Sequence, residues 1–201
     1  MPILATKPNI QRTLVPKGTN IARVIGVIYM GTIQGEYMGS PLVQQKIRLT
    51  WEFPEELHVF KDGDEAKPLV HSEEYTLSMN KKSKLRPIIE GIIGVTLTDE
   101  EAWAFDVASI INSPCLVSIS HKVGAKSGLS FAKVSSTSML MKGQTCKESY
   151  NPKRVFDYAG NWDEEYFNKL PNFIKEKMMT SAEYKAKKGI KEEINPDEIP
   201  F

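Results

Sequence analysis

The sequence predicts a mainly β chain with helices: five strands curled into a barrel, a helical segment between strands three and four, C-terminal helices and an acidic tail. Three observations carry this reading. Apolar and polar residues alternate at the period of a strand in three stretches between residues 19 and 79. The period becomes helical from 83 to 112, then returns to two for a pair of stretches joined by a glycine-bounded turn. The 201 residues, 41% hydrophobic and 25% charged, provide for one domain with an appendage and exclude wholesale disorder.

Residues 1–18 hold three prolines and few apolar anchors, and read as an extended arm. Thr19 to Ile33 is rich in β-branched residues, with Gly26 and Gly31 placed where a long strand bulges or bends. Val43 to Phe53 sets Ile47, Leu49, Trp51 and Phe53 on one face against Lys46, Arg48, Thr50 and Glu52 on the other. Residues 54–72, with two prolines and the turn Lys61 to Asp64, read as a surface excursion, and Glu74 to Met79 as the third strand. Ser83 is placed to cap a helix that ends at Gly94, with Pro87 in its first turn. Thr98 and Glu101 make a capping box for a second helix reaching Asn112. Pro114 opens strand four, and the turn Gly124 to Gly128 leads into strand five over 129–140. This is the element order of the OB-fold, a five-stranded Greek-key barrel whose strand 2–3 face and flanking loops bind oligonucleotides or oligosaccharides. An α+β domain of no particular type has the same order.

Residues 143–160 read as loop. Asn161 with Glu164, and Thr180 with Glu183, form further capping boxes, Met179 and Tyr184 a hydrophobic staple, and Gly189 a stop. The helices between them carry Phe167, Leu170, Phe173, Ile174 and Met178, which are expected to pack on the barrel or on a partner. The expected organisation is an arm over 1–18, the barrel domain over 19–142, a helical extension over 143–189 and a disordered tail over 190–201.

Enzyme chemistry finds no support in the motifs. The sequence has no phosphate-binding GxxxxGK[ST] loop, no GxGxxG, no GxSxG elbow and no HExxH. His121 has no nameable acid or nucleophile to work with, and the acidic pairs at 55–56, 73–74 and 100–101 are adjacent in sequence rather than facing. Cys115, expected to face the interior, and Cys146 make no disulfide framework, and with three histidines they show no zinc spacing. Neither a membrane span nor a secretory signal is read at the start, so an intracellular chain without cofactor or metal is expected.

The charge is uneven. Residues 1–147 carry 17 Lys and Arg against 14 Asp and Glu, whereas the last ten residues carry four acids and no base. Asn80 to Arg86 concentrates Lys81, Lys82, Lys84 and Arg86 at a helix start, where backbone amides also favour phosphate. Arg23 on strand one, Lys46 and Arg48 on strand two, and Lys122, Lys126 and Lys133 on the last hairpin extend the candidate groove. Bases of a single strand stack on rings with little sequence preference. Tyr37, in the strand 1–2 loop, is the leading stacking candidate, followed by Trp51, Tyr75 and Phe131, of which Trp51 and Tyr75 share faces with core residues.

The carboxyl end, Asp197, Glu198, Ile199, Pro200 and Phe201, resembles the acidic tip of bacterial single-stranded-DNA-binding proteins. Residues 19–142 resemble, more loosely, a family of phage-encoded single-stranded-DNA-binding proteins through 46–54, 75–86 and the Ser-His-Lys of 120–122. The bacterial family's tryptophan spacing is missing and residues 161–188 are foreign to it, so its tetramer is not carried over. The resemblance implies an OB-fold that coats single-stranded DNA in phage replication or recombination, in the cytoplasm of the infected host. It also implies a tip, Asp197 to Phe201, that recruits replication or recombination proteins. A homodimer is compatible with it. The alternatives are a phage structural or assembly adaptor, and an OB module for RNA or oligosaccharide.

Overall fold

The computed structural model describes residues 13–190 except Lys126, and Tyr37 in its backbone alone. Six strands form one sheet: β1 (Gly18–Tyr37), β2 (Ser40–His58), β3 (Lys67–Thr76), β4 (Pro114–Val123), β5 (Ser130–Ser138) and β6 (Arg154–Phe156). Among the described residues five α-helices accompany them: α1 (Leu85–Ile93), α2 (Asp99–Trp103), α3 (Glu164–Lys169), α4 (Asn172–Met179) and α5 (Ala182–Lys188). The strands run in the order β3-β2-β1-β4-β5, and every neighbouring pair in that path is antiparallel.

The expected barrel is not closed. No ladder joins β3 to β5; at this seam the Val134 amide donates instead to the Glu73 carboxylate at 2.8 Å. The third strand also starts earlier than its alternation suggests. Phe53 and Leu69 pair and are buried, Pro68 sits near the strand start, and the sequence between Phe53 and Leu57 is absorbed as a bulge around Pro54. The surface excursion therefore shrinks to residues 59–66.

The bulges of β1, between Val24 and Gly26 and between Tyr29 and Gly31, decide how the molecule is layered. They shift the side-chain alternation, so Val24 and Val27 enter one apolar cluster while Ile28 and Met30 enter another on the opposite face. A strand covered on both faces must be almost continuously apolar, which accounts for the run Val24 to Ile28. The inner cluster gathers Leu49, Trp51, Phe53, Cys115 and Val117 under α1, whose Leu85 and Ile89 are fully buried. Gly91 lets α1 approach β5, since a Cβ there would lie 2.2 Å from the Thr137 carbonyl oxygen.

The outer cluster consists of Phe156, Phe167, Leu170, Ile174, Met178 and Tyr184 packed on Ile28 and Met30. Along β1, β4 pairs with Gly18–Arg23, and beyond it β6 takes the same edge of β1 in parallel at Gly26–Ile28. The expected loop over 143–160 thus contains a strand. Gly31, at φ +90°, brings β1 against α5: Ser181 would meet a Cβ there at 2.6 Å. The Glu183 carboxylate accepts from Tyr29 Oη at 2.6 Å, from the Thr32 amide at 2.7 Å and from Thr32 Oγ1 at 2.7 Å. Tyr29 is driven up to about 12 by burial and by this carboxylate.

Several helix ends differ from expectation. The Thr98 capping box forms, but α2 stops at Trp103 because the Asp106 carboxylate accepts from the Ala108 amide and restarts the chain as a 3₁₀ turn, Val107–Ile110. Ser83 takes the Arg86 amide without being the cap; Lys84 is. Asp163 replaces Asn161 as the cap of α3, since Asn161 donates to Asp157. Ser181 replaces Thr180 at α5, whose Glu183 is committed to β1, and Met179 is exposed rather than stapled. Gly94 and Gly189 end their helices in the left-handed conformation as expected. The tail from residue 191 onward lies outside the described residues.

Candidate nucleic-acid interface

Three clefts adjoin one another over the open β3–β5 seam. The first, of 560 Å³, lies between α1 and the hairpin and is lined by Tyr75, Lys84, Lys122 and Lys133 among others. The second, of 520 Å³, shares Tyr75 and Lys84 with it and adds Lys46 and Lys82. The third, of 260 Å³, shares Glu73 and Lys133 with the first and adds Arg48 and Phe131. Together they make a groove that runs from the start of α1 across the seam to β2.

Local structure explains each cation's place. Lys46 and Arg48 alternate with the core residues Ile47 and Leu49 on β2, so they emerge on the opposite face. Lys84 caps α1, whose first turn carries no acid to offset the positive end of the helix. Lys122 and Lys133 lie on the paired strands of the last hairpin, and Lys122 is directly across from Phe131. Lys82, Lys84, Lys122 and Lys133 form no ion pair with a described residue. Phe131 is 45% exposed, leaving a ring face open beside Lys133 and Arg48.

The acids of the groove have defined tasks. Glu73 bridges the seam, and Glu74 accepts from Lys177 of α4 and lies 3.7 Å from Arg48. Lys46 donates to Gln44 at 2.6 Å and to Thr76 at 3.0 Å. Burial, followed by the charge of Lys177, holds Lys46 below the ordinary lysine value, while Glu74 opposes the shift. Burial likewise lowers Arg48, with Glu74 and Tyr166 pulling the other way.

Other expected binding residues lie elsewhere or are buried. Trp51 is 0% exposed inside the inner cluster, and Tyr75 presents no free ring because it is buried in the same cluster; neither can stack on a base from there. The Tyr75 hydroxyl has no hydrogen-bond partner among the described residues, and burial raises its pKa. Arg86 turns inward, donating to the Met79 and Leu97 carbonyls and to Glu90 and Asp99, and so ties the start of α1 to the loop after it. Lys81 is exposed but pairs with Asp99 at 2.9 Å.

Arg23 is a structural clamp. It faces Glu52 across the β1–β2 ladder, and both side chains grip the backbone of one passing segment. Arg23 donates to the carbonyls of Cys146 and Lys147 at 2.8 and 3.0 Å and to Asn112. Glu52, 0% exposed, accepts from the Tyr150 and Asn151 amides at 2.7 and 2.8 Å and from the Asn151 side chain at 2.6 Å. The side chain of Tyr37, Lys126 and the tip Asp197 to Phe201 lie outside the described residues.

Sequence reasoning missed Phe173 and Lys177, one helical turn apart on α4. Phe173 was expected to pack, yet it is 60% exposed with the Arg48 guanidinium 5.9 Å from its ring centre. The i, i+4 spacing of a ring and a lysine was the available signal. No family model matches the chain, and no curated protein matches it.

Proposed function

We propose that the protein binds single-stranded DNA without sequence preference and catalyses no reaction, with the strand lying in the groove over the β3–β5 seam. The observation that carries the reading is the convergence there of Lys46, Arg48, Lys82, Lys84, Lys122 and Lys133 with the exposed ring of Phe131. Lysine and arginine displace counterions from phosphates while a ring receives a base, which gives affinity with little readout. The reading takes the sheet as an OB-fold whose last seam is bridged by Glu73 rather than by a ladder, and strand order β3-β2-β1-β4-β5 with a helix after β3 supports it.

The phage setting, the bacterial cytoplasm and the recruitment of replication or recombination proteins through Asp197 to Phe201 are proposed on the sequence resemblance. No helix among the described residues is long and apolar enough to cross a membrane. The test is fluorescence anisotropy of labelled oligo-dT beside a duplex of equal length. Tight binding to the single strand, weakened by salt, is expected; equal or absent binding would refute the reading.

A further inference from the structure

We infer that α4 extends the groove: Phe173 offers a second stacking platform for a base, and Lys177 with Lys46 and Arg48 holds the adjoining phosphate. The inference rests on the single-strand reading above and lengthens the path that reading describes. It concerns an element that the fold otherwise uses only for packing.

The packing of α4 fixes which side chains are free. Ile174 and Met178 are buried against Ile28 and Met30, which turns Phe173 and Lys177 towards the β2–β3 side of the sheet. Phe173 leaves most of its ring in solvent. An isolated exposed apolar residue needs no explanation. This one, however, stands beside the guanidinium of Arg48, a residue lining the third cleft, so the ring continues the groove wall.

Charge points the same way. Glu74 is approached by Lys177 and Arg48, and Lys46 lines the second cleft with that carboxylate. Three cations around one acid leave a local surplus of two positive charges, and burial with the Lys177 charge already disfavours the protonated form of Lys46. A phosphate at this point would relieve the repulsion between Lys46 and Lys177 and would be held by charge-assisted hydrogen bonds. A base attached to it is within the reach of an open ring already flanked by a cation. Bases stack on such rings without sequence preference, as the proposed function requires.

The experiment uses the full chain with oligo-dT of increasing length, comparing wild type, Phe173→Ala and Phe173→Trp. Because the ring is exposed, Phe173→Ala is expected to keep the fold and thermal midpoint. It is expected to weaken binding on the order of tenfold, the worth of one stacked base, for long oligonucleotides and to leave the shortest that bind unaffected. Phe173→Trp is expected to restore the affinity and to add tryptophan quenching on saturation beyond that of wild type. If wild type binds and Phe173→Ala matches it at every length, with no added quenching in Phe173→Trp, the extension along α4 is wrong and the seam groove stands. If wild type binds no single strand, both readings fall together.

Discussion

Replacing Lys82, Lys84, Lys122 and Lys133 together by alanine isolates the electrostatic part of the proposed interface. These four line the seam groove without an ion pair to a described residue, so their removal strands no buried partner. Each phosphate neutralised in a single strand contributes ~0.7 to the slope of log affinity against log salt. If each lysine meets one phosphate, the quadruple variant is expected to lose about 2.8 from that slope. Between ~50 and ~200 mM salt the affinity of wild type would then fall about 50-fold further than that of the variant. The thermal midpoint is expected to move little, because Lys82, Lys84 and Lys122 are exposed and Lys133 is half-buried without a charged partner. The assay is anisotropy of labelled oligo-dT across a salt series, with the midpoint followed by circular dichroism. An unchanged slope in a variant that still binds would show that the strand lies elsewhere.

Four further outcomes test the framework around the groove. Glu52→Ala takes away the buried acceptor of the Tyr150 and Asn151 amides and of the Asn151 side chain, and is expected to cost about 3 kcal/mol, or roughly 10 °C in thermal midpoint; a shift under a degree or two would refute the clamp. Arg86→Ala is expected to lower the midpoint more than the pair Lys82→Ala and Lys84→Ala, since Arg86 alone of the three is buried and ties Glu90 and Asp99. The Arg86 guanidinium holds both carboxyls below the usual carboxylate range, so their stabilisation is complete above that range and is lost as pH falls through their depressed values. Thermal melts from pH 7 downward are expected to show a shallower acid decline in Arg86→Ala, and parallel declines would contradict the assignment. A fragment ending at residue 142 is expected to be insoluble or unfolded, and a soluble fragment melting like the full chain would refute the dependence on the helical extension.

Much of the path of the chain could be read from sequence because it depends on local pattern. Alternation over 43–53 located β2 and its faces, and Gly94 and Gly189 fixed helix ends through a backbone conformation that glycine adopts readily. Side-chain competition was harder to see. Asp106 and Asp163 capture backbone amides locally and shorten or shift helices that apolar spacing alone extends. Of the candidate site, the positions of the alternating Lys46 and Arg48 and of Lys122 and Lys133 on the hairpin were legible, as they follow from strand geometry. Arg23 and Arg86 were not, because a basic residue carries no mark in the sequence of whether carbonyls from distant residues will meet it. Arg23 finds two of its carbonyl partners more than 120 residues away. Phe173 illustrates the converse, an aromatic on an amphipathic helix that falls just beside the buried stripe of Ile174 and Met178.

The buried polar pair of β1 and β2 links these facts into one mechanical account. Arg23 takes carbonyls and Glu52 takes amides from a segment crossing the same point of the sheet, and a backbone held by both its polar groups has little freedom to slide. That segment leads at once into β6, which pairs with Gly26–Ile28, and then into the helices that cover Ile28 and Met30. Without those helices, β1 would present apolar side chains to water on a face its bulges turned outward. Removing the segment would also strip the Glu52 carboxylate of the three donors that meet it and leave Arg23 with Asn112 as its hydrogen-bond partner, a cost of several kcal/mol by itself. The expected boundary at residue 142 therefore marks a change in composition rather than in the folded unit. The outer layer that protects β1 is also what carries α4 to Arg48 and Glu74, so the packing of this strand determines where one end of the basic groove lies.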